Sequence, residues 1–207
     1  MKYDVVVFDV DGTLIDTEET ILTSLQHMLF RLTGQIYSFE ELYFALGITG
    51  KKALEELKIE DKEKAMKVWL SYEERYSFLQ KPFEGIEELT VWLRQRGVRL
   101  GIVTSRTRDE FRKNVEGYEF IKDFEVIICA DDTDKHKPEP APMLALLEKM
   151  RVGPSSVLYV GDSPYDMECA RRAGVSGALA MWGAHFPENI KADYKMEKMN
   201  DLKSLFI

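Results

Sequence analysis

The chain has 207 residues, 45% of them hydrophobic and 31% charged. That excludes a disordered chain, and it exceeds the roughly 150 residues of an average domain, so one domain with an insertion or two small domains fit. Lys and Arg number 28 against 36 Asp and Glu, a net charge of −8, which argues against a broad nucleic-acid-binding face and leaves a local basic site open.

The N-terminal run Val5-Val6-Val7-Phe8 is short, β-branched and bounded by acids. It predicts a strand buried on both faces rather than a secretory leader. No stretch approaches the roughly 18 apolar residues of a membrane span, so no membrane partner is expected.

Residues 16–81 contain no strand-like run. Ile21, Leu22, Leu25, Met28, Leu29 and Leu32 form one helical stripe, Ser38-Phe39-Glu40-Glu41 is a capping box, and Met66, Trp69, Tyr72 or Glu73, and Tyr76 recur at helical spacing. This segment reads as an all-helical insertion, with junctions at Asp16-Thr17 and Lys81-Pro82. Its aromatic stripe reads as helix-packing core rather than a ligand box.

Strand-like runs then resume at residues 100–103, 126–129 and 157–160, with a weaker one at 177–181. Between them lie helical patterns at 86–96 (apolar Ile86, Leu89, Val91, Leu93), at the capping box Thr107-Arg108-Asp109-Glu110, at 142–150 (Leu144, Leu147, Met150) and at 164–173. Such alternation predicts an α/β fold, a doubly wound parallel sheet with helices on both faces. The expected division is a core of residues 1–15 and 82–207 with a helical cap of residues 16–81. Cys129 and Cys169 have neither zinc spacing nor the density of a disulfide framework. They read as small buried hydrophobes of a reducing compartment, hence a cytoplasmic protein.

Ligands of doubly wound sheets sit at the carboxyl ends of the strands, and four segments there carry chemistry. Asp9-Val10-Asp11-Gly12-Thr13 places two acids and a turn glycine after the first strand. The bland alternative is a strand-ending turn. Thr104-Ser105 ends the second run with two hydroxyls suited to phosphate oxygens, or to a helix entry. Lys137-Pro138 offers a cation in a charged loop. Gly161-Asp162-Ser163-Pro164-Tyr165-Asp166 ends the fourth run with acids four apart, Asp162 being either a site residue or a helix N-cap. Acids brought together there would repel one another without a cation, and Mg²⁺ suits carboxylate and carbonyl oxygens. Acids, a lysine and hydroxyls are what phosphoryl transfer requires.

In this order the four segments resemble the motifs of the haloacid dehalogenase-like (HAD) hydrolases, across essentially the whole chain. The stretch from Lys137 to Gly183 is most similar to the phosphoglycolate phosphatase branch, and β-phosphoglucomutase-like proteins share much of it. The resemblance implies a Rossmann-like core with an α-helical cap. It implies Asp9 as nucleophile forming an aspartyl-phosphate, and Asp11 as general acid and base. It further implies Mg²⁺ held by Asp9, Asp162 and the Asp11 carbonyl, with Asp166 as support or weaker ligand. Gly12, Thr104, Ser105 and Lys137 would hold the phosphate. Asp11 argues against dehalogenation, because family members with that activity do not keep this second acid.

The reaction implied is Mg²⁺-dependent hydrolysis of a small phosphorylated metabolite by a monomer or homodimer. A phosphomutase, a pyrophosphatase and a non-catalytic binding protein on the same fold are the alternatives. Lys51, Lys52 and Arg106 are the cations nearest the expected cleft, and each reads as an ordinary surface charge.

Overall fold

The structure, a computed structural model, describes residues 2–206. Its strands are β1 (Val5–Phe8), β2 (Ile15–Asp16), β3 (Lys81–Pro82), β4 (Arg99–Val103), β5 (Val126–Ile128), β6 (Val157–Gly161), β7 (Ser176–Ala180) and β8 (Tyr194–Met196). Its helices are α1 (Glu18–Thr33), α2 (Phe39–Leu42), α3 (Gly50–Glu56), α4 (Lys62–Tyr76), α5 (Ile86–Gln95), α6 (Arg108–Asn114), α7 (Ala141–Met150) and α8 (Pro164–Ala173).

Six strands form one parallel sheet in the order β5-β4-β1-β6-β7-β8. The centre is β1, paired with β4 on one side and β6 on the other. Its side chains alternate between two cores. Val6 and Phe8 join the cluster that includes Leu89, Leu93 and Phe111, whereas Val5 and Val7 join Met143, Leu146 and Ala170 on the opposite face. All four are fully buried, so the uninterrupted apolar run is explained by a strand covered on both sides. Each such side chain contributes about 1.5–3 kcal/mol.

Two helical stripes differ from the sequence reading. Thr90, not Val91, turns into the core from α5, and Val91 is exposed. Positions 86, 89, 90 and 93 follow the helical period, and 91 lies off that face. In α7 the buried set includes Met143, Leu146, Leu147 and Met150, which leaves Leu144 exposed for the same reason. The edge strand β8 was not expected, because Tyr194-Lys195-Met196 is only three residues with a charge in the middle.

The four helices α1–α4 pack around a separate apolar cluster containing Leu22, Leu25, Met28, Leu42, Leu54 and Trp69. The Trp69 indole donates to Ser24 Oγ at 3.1 Å inside it. The chain enters this cluster past β2 and leaves it at β3, and these two short strands pair antiparallel, Ile15 opposite Pro82 and Asp16 opposite Lys81. The capping boxes expected at Ser38 and Thr107 are both formed. Among the described residues, no helix is long and apolar enough to cross a membrane. Cys129 and Cys169 are buried and unbridged.

Candidate active site

Three adjacent parallel strands end in chemistry-bearing residues. Asp9 follows β1, Thr104 follows β4, and Asp162 follows β6. This is the carboxyl edge of the sheet where the strand order diverges from its centre, the position at which open α/β sheets take ligands. Asp9, Thr104, Lys137, Asp162 and Asp166 are all buried there.

Lys137 is the hub. Its Nζ lies 2.7 Å from Asp166 Oδ1 and 2.9 Å from Asp9 Oδ1. Among the described residues, this ammonium is the polar partner of Asp9 Oδ1, which has no other hydrogen-bond donor. The Tyr159 hydroxyl donates to Asp166 Oδ1 at 2.7 Å, and the Ser163 amide donates to Asp166 Oδ2 at 3.1 Å. Ser163 is the N-cap of α8, with Asp166 completing the capping box. Asp162 is therefore not the cap, and its Oδ1 accepts from the Thr13 hydroxyl at 3.0 Å.

One carboxylate oxygen from each of Asp9, Asp162 and Asp166 falls within 4.8 Å of the others. Burial pushes the Asp9 carboxyl up to about 7, with Lys137 opposing and the Asp166 and Asp11 charges adding to the rise. Burial and the Asp166 and Asp9 charges drive Asp162 well above the carboxylate range, with Lys137 opposing. Lys137 shifts upward, because Asp166 and Asp9 outweigh the cost of burying its charge. One ammonium thus serves three crowded acids, a donor set that fits a hard divalent cation such as Mg²⁺.

Glycine shapes this edge at two points. Gly12 has φ +73°, and a Cβ there would stand 2.3 Å from Asp162 Oδ2. A Cβ at Gly161 would stand 2.5 Å from Asp166 Cβ. Both acids reach the cluster only because these positions lack side chains.

Two of the residues expected to bind phosphate have protein partners here. The Gly12 amide already donates to the Ile15 carbonyl at 2.9 Å, because the residue closes the turn between β1 and β2. It is not a free phosphate donor in this state. The Ser105 hydroxyl donates to the Gly47 carbonyl of the helical segment at 3.0 Å, so it ties the two parts together. Thr104 Oγ1 accepts from the Arg106 amide at 3.2 Å.

Arg106 overturns its reading as a surface charge. Its side chain is 8% exposed. Nε donates to both oxygens of Asp11, at 3.1 and 2.9 Å, and Nη2 donates to Oδ1 at 2.7 Å. Glu73 of α4 lies 4.0 Å from Nη1. Burial alone would raise the Asp11 pKa, but Arg106 outweighs it and the net shift is downward. Burial pushes Glu73 up to about 7, with Arg106 opposing. Glu73 was legible only as one position on a helical stripe; its i, i+4 spacing from Trp69 is the signal that aims it at this junction. Lys51 and Lys52 remain exposed. A cavity of about 50 Å³ lies between the two parts, and its walls include Asp9, Asp11, Trp69, Glu73, Ser105 and Arg106.

Comparison with known proteins agrees with this architecture. A chain from Caldanaerobacter subterraneus subsp. tengcongensis named "Putative pyrophosphatase PpaX" is 33% identical over 203 residues, covering 96% of this chain and 92% of its own. Pyrophosphatase PpaX of Bacillus cereus is 30% identical over 209 residues, covering 98% of this chain and 95% of its own. The crystal structure of a "putative phosphoglycolate phosphatase" from Lactobacillus plantarum superposes with a TM-score of 0.91 at 31% identity, with both chains covered completely. Residues 6–180 match the family model of the haloacid dehalogenase-like hydrolases, so the chain belongs to that family and is an enzyme of it.

Proposed function

We propose that this enzyme is a Mg²⁺-dependent phosphatase of small phosphorylated metabolites that works through an aspartyl-phosphate at Asp9. The observation that carries the reading is the buried Lys137 set between Asp9 and Asp166, with Asp162 alongside.

Asp9 is the nucleophile. Its oxygen forms a bond to phosphorus as the bond to the leaving oxygen breaks, and water later releases phosphate. Lys137 and the Thr104 and Ser105 hydroxyls hold the anionic oxygens, which stabilises the charge that spreads over them. Asp9, Asp162 and the Asp11 carbonyl are the groups to hold Mg²⁺. When bound, the ion neutralises the crowded carboxylates and polarises the phosphoryl oxygens. Asp166, whose oxygens are taken by Lys137, Tyr159 and Ser163, supports Lys137 rather than the ion.

Asp11 is the proton donor to the leaving oxygen and the base for water. Arg106 keeps it occupied in this state, so it changes partner before it acts. Helices α1–α4 form the cap, and closing it excludes water from the cavity. A second reading, pyrophosphate as substrate, is favoured by the relatives named as pyrophosphatases at 29–33% identity.

A phosphate-release screen over phosphoglycolate, sugar phosphates, nucleotides and pyrophosphate, with Mg²⁺ and with EDTA, tests both. Release that requires Mg²⁺ is expected. Release that is equal in EDTA overturns the metal assignment.

A further inference from the structure

We propose that Arg106 is the receptor for a second negative charge on the substrate, and that Asp11 occupies it until such a substrate arrives. The inference rests on the phosphatase reading above and narrows its substrate class.

A guanidinium fork fits a carboxylate or phosphate through paired N–H donors. Arg106 already displays that geometry toward Asp11. It stands beside a second carboxylate, Glu73, which comes from the helical segment. Among the described residues lining the cavity, Arg106 is the only cation, and Asp9 lines the same space. A phosphoryl group at Asp9 and an anion at Arg106 would therefore share one enclosure. The apolar part of the wall, which includes Ile48, Met66 and Trp69, offers a neutral polar group little in exchange for its water.

Size narrows the class further. The cavity of about 50 Å³ holds a few waters at roughly 10–15 Å³ each. It lies well below the roughly 300 Å³ at the small end of ligand pockets. So small a space favours a short acid group over a hexose ring. The substrates that fit carry a compact leaving group with its own carboxylate or phosphate. That anion takes the guanidinium from Asp11, and the freed carboxylate turns toward the leaving oxygen. A neutral leaving group leaves the Arg106–Asp11 bonds standing.

The test uses a near-matched pair, 2-phosphoglycolate and 2-hydroxyethyl phosphate, with pyrophosphate and p-nitrophenyl phosphate alongside, all with Mg²⁺. The wild type is expected to favour phosphoglycolate over hydroxyethyl phosphate by at least about 100-fold in kcat/KM, as a site built around a polar group of the substrate rejects the analogue lacking it. Arg106→Gln is expected to bring that ratio to within about fivefold, since the fork is lost. Glu73→Gln removes a competitor for the guanidinium and is expected to lower KM for phosphoglycolate more than for hydroxyethyl phosphate. It keeps the proposal testable should Arg106→Gln fail to fold. Equal wild-type rates on the pair, a preference that survives Arg106→Gln, or an equal KM change on both substrates in Glu73→Gln overturns the proposal. Phosphate release from none of the four compounds overturns the phosphatase reading and this proposal with it.

Discussion

Lys137 Nζ lies 2.7 Å from Asp166 Oδ1, and both side chains are sealed from solvent, at 1% and 0% exposure. Asp166 thus holds the ammonium against Asp9, 2.9 Å away. Removing one partner of a buried ion pair leaves an uncompensated charge, at a cost of about 3–5 kcal/mol. Lys137→Met should lose at least that much stability in metal-free buffer, measured by denaturant unfolding, together with turnover. Mg²⁺ should restore part of the stability but not the turnover. A variant as stable as wild type in EDTA contradicts the hub role.

Gly12→Ala places a methyl group 2.3 Å from Asp162 Oδ2 at a φ of +73°. The backbone strain costs about 1–2 kcal/mol, and the larger effect falls on Asp162, which has to move. Isothermal titration with Mg²⁺ should show affinity weakened by at least about tenfold, in line with the loss of other groups that orient metal ligands. Unchanged affinity removes Asp162 from the metal set.

Much of this site was legible in the sequence because each strand stops immediately before its functional residue. The run Val5–Phe8 ends at Asp9, and Val157–Gly161 ends at Asp162. These uninterrupted apolar runs therefore place both acids at strand ends. Arg106 was hidden for the opposite reason. Its burial depends on Asp11, 95 residues earlier, and on Glu73 of the helical segment, so no local pattern distinguishes it from a solvated charge. The partner of the Gly12 amide, the Ile15 carbonyl, depends on how tightly the turn closes, and composition does not report that. The division of the stripe in α5 between Thr90 and Val91 turned on one position of helical phase.

Glu73 makes stability depend on pH. Burial lifts its folded pKa from the ordinary 4.5 to about 7. Between those values the folded chain binds more protons than the unfolded chain, so stability falls as pH rises through that window. Subtracting the Tm profile of Glu73→Gln from that of the wild type isolates the contribution. The difference should turn against the wild type as pH rises from about 4.5 to about 7 and then level off. A difference that grows in the wild type's favour over this range contradicts the burial of Glu73 at the junction.

Inside the helical segment, Trp69 Nε1 donates to Ser24 Oγ, both groups being buried. Ser24→Ala strands the indole N–H at a cost of about 1–3 kcal/mol. Chemical denaturation of the full chain should register that loss. A double variant that also replaces Trp69 with Phe should show less than the sum of the two single losses.

The central proposal is that a carboxylate oxygen of Asp9 takes the phosphoryl group. Its most direct test is covalent trapping: wild type and Asp9→Asn are incubated with substrate and Mg²⁺, quenched, treated with borohydride to reduce any acyl phosphate, and mapped by mass spectrometry. Homoserine at position 9 in the wild type, with neither label nor phosphate release in Asp9→Asn, is the expected result. Turnover by Asp9→Asn at a rate near the wild type's, or a label on another residue, would contradict it.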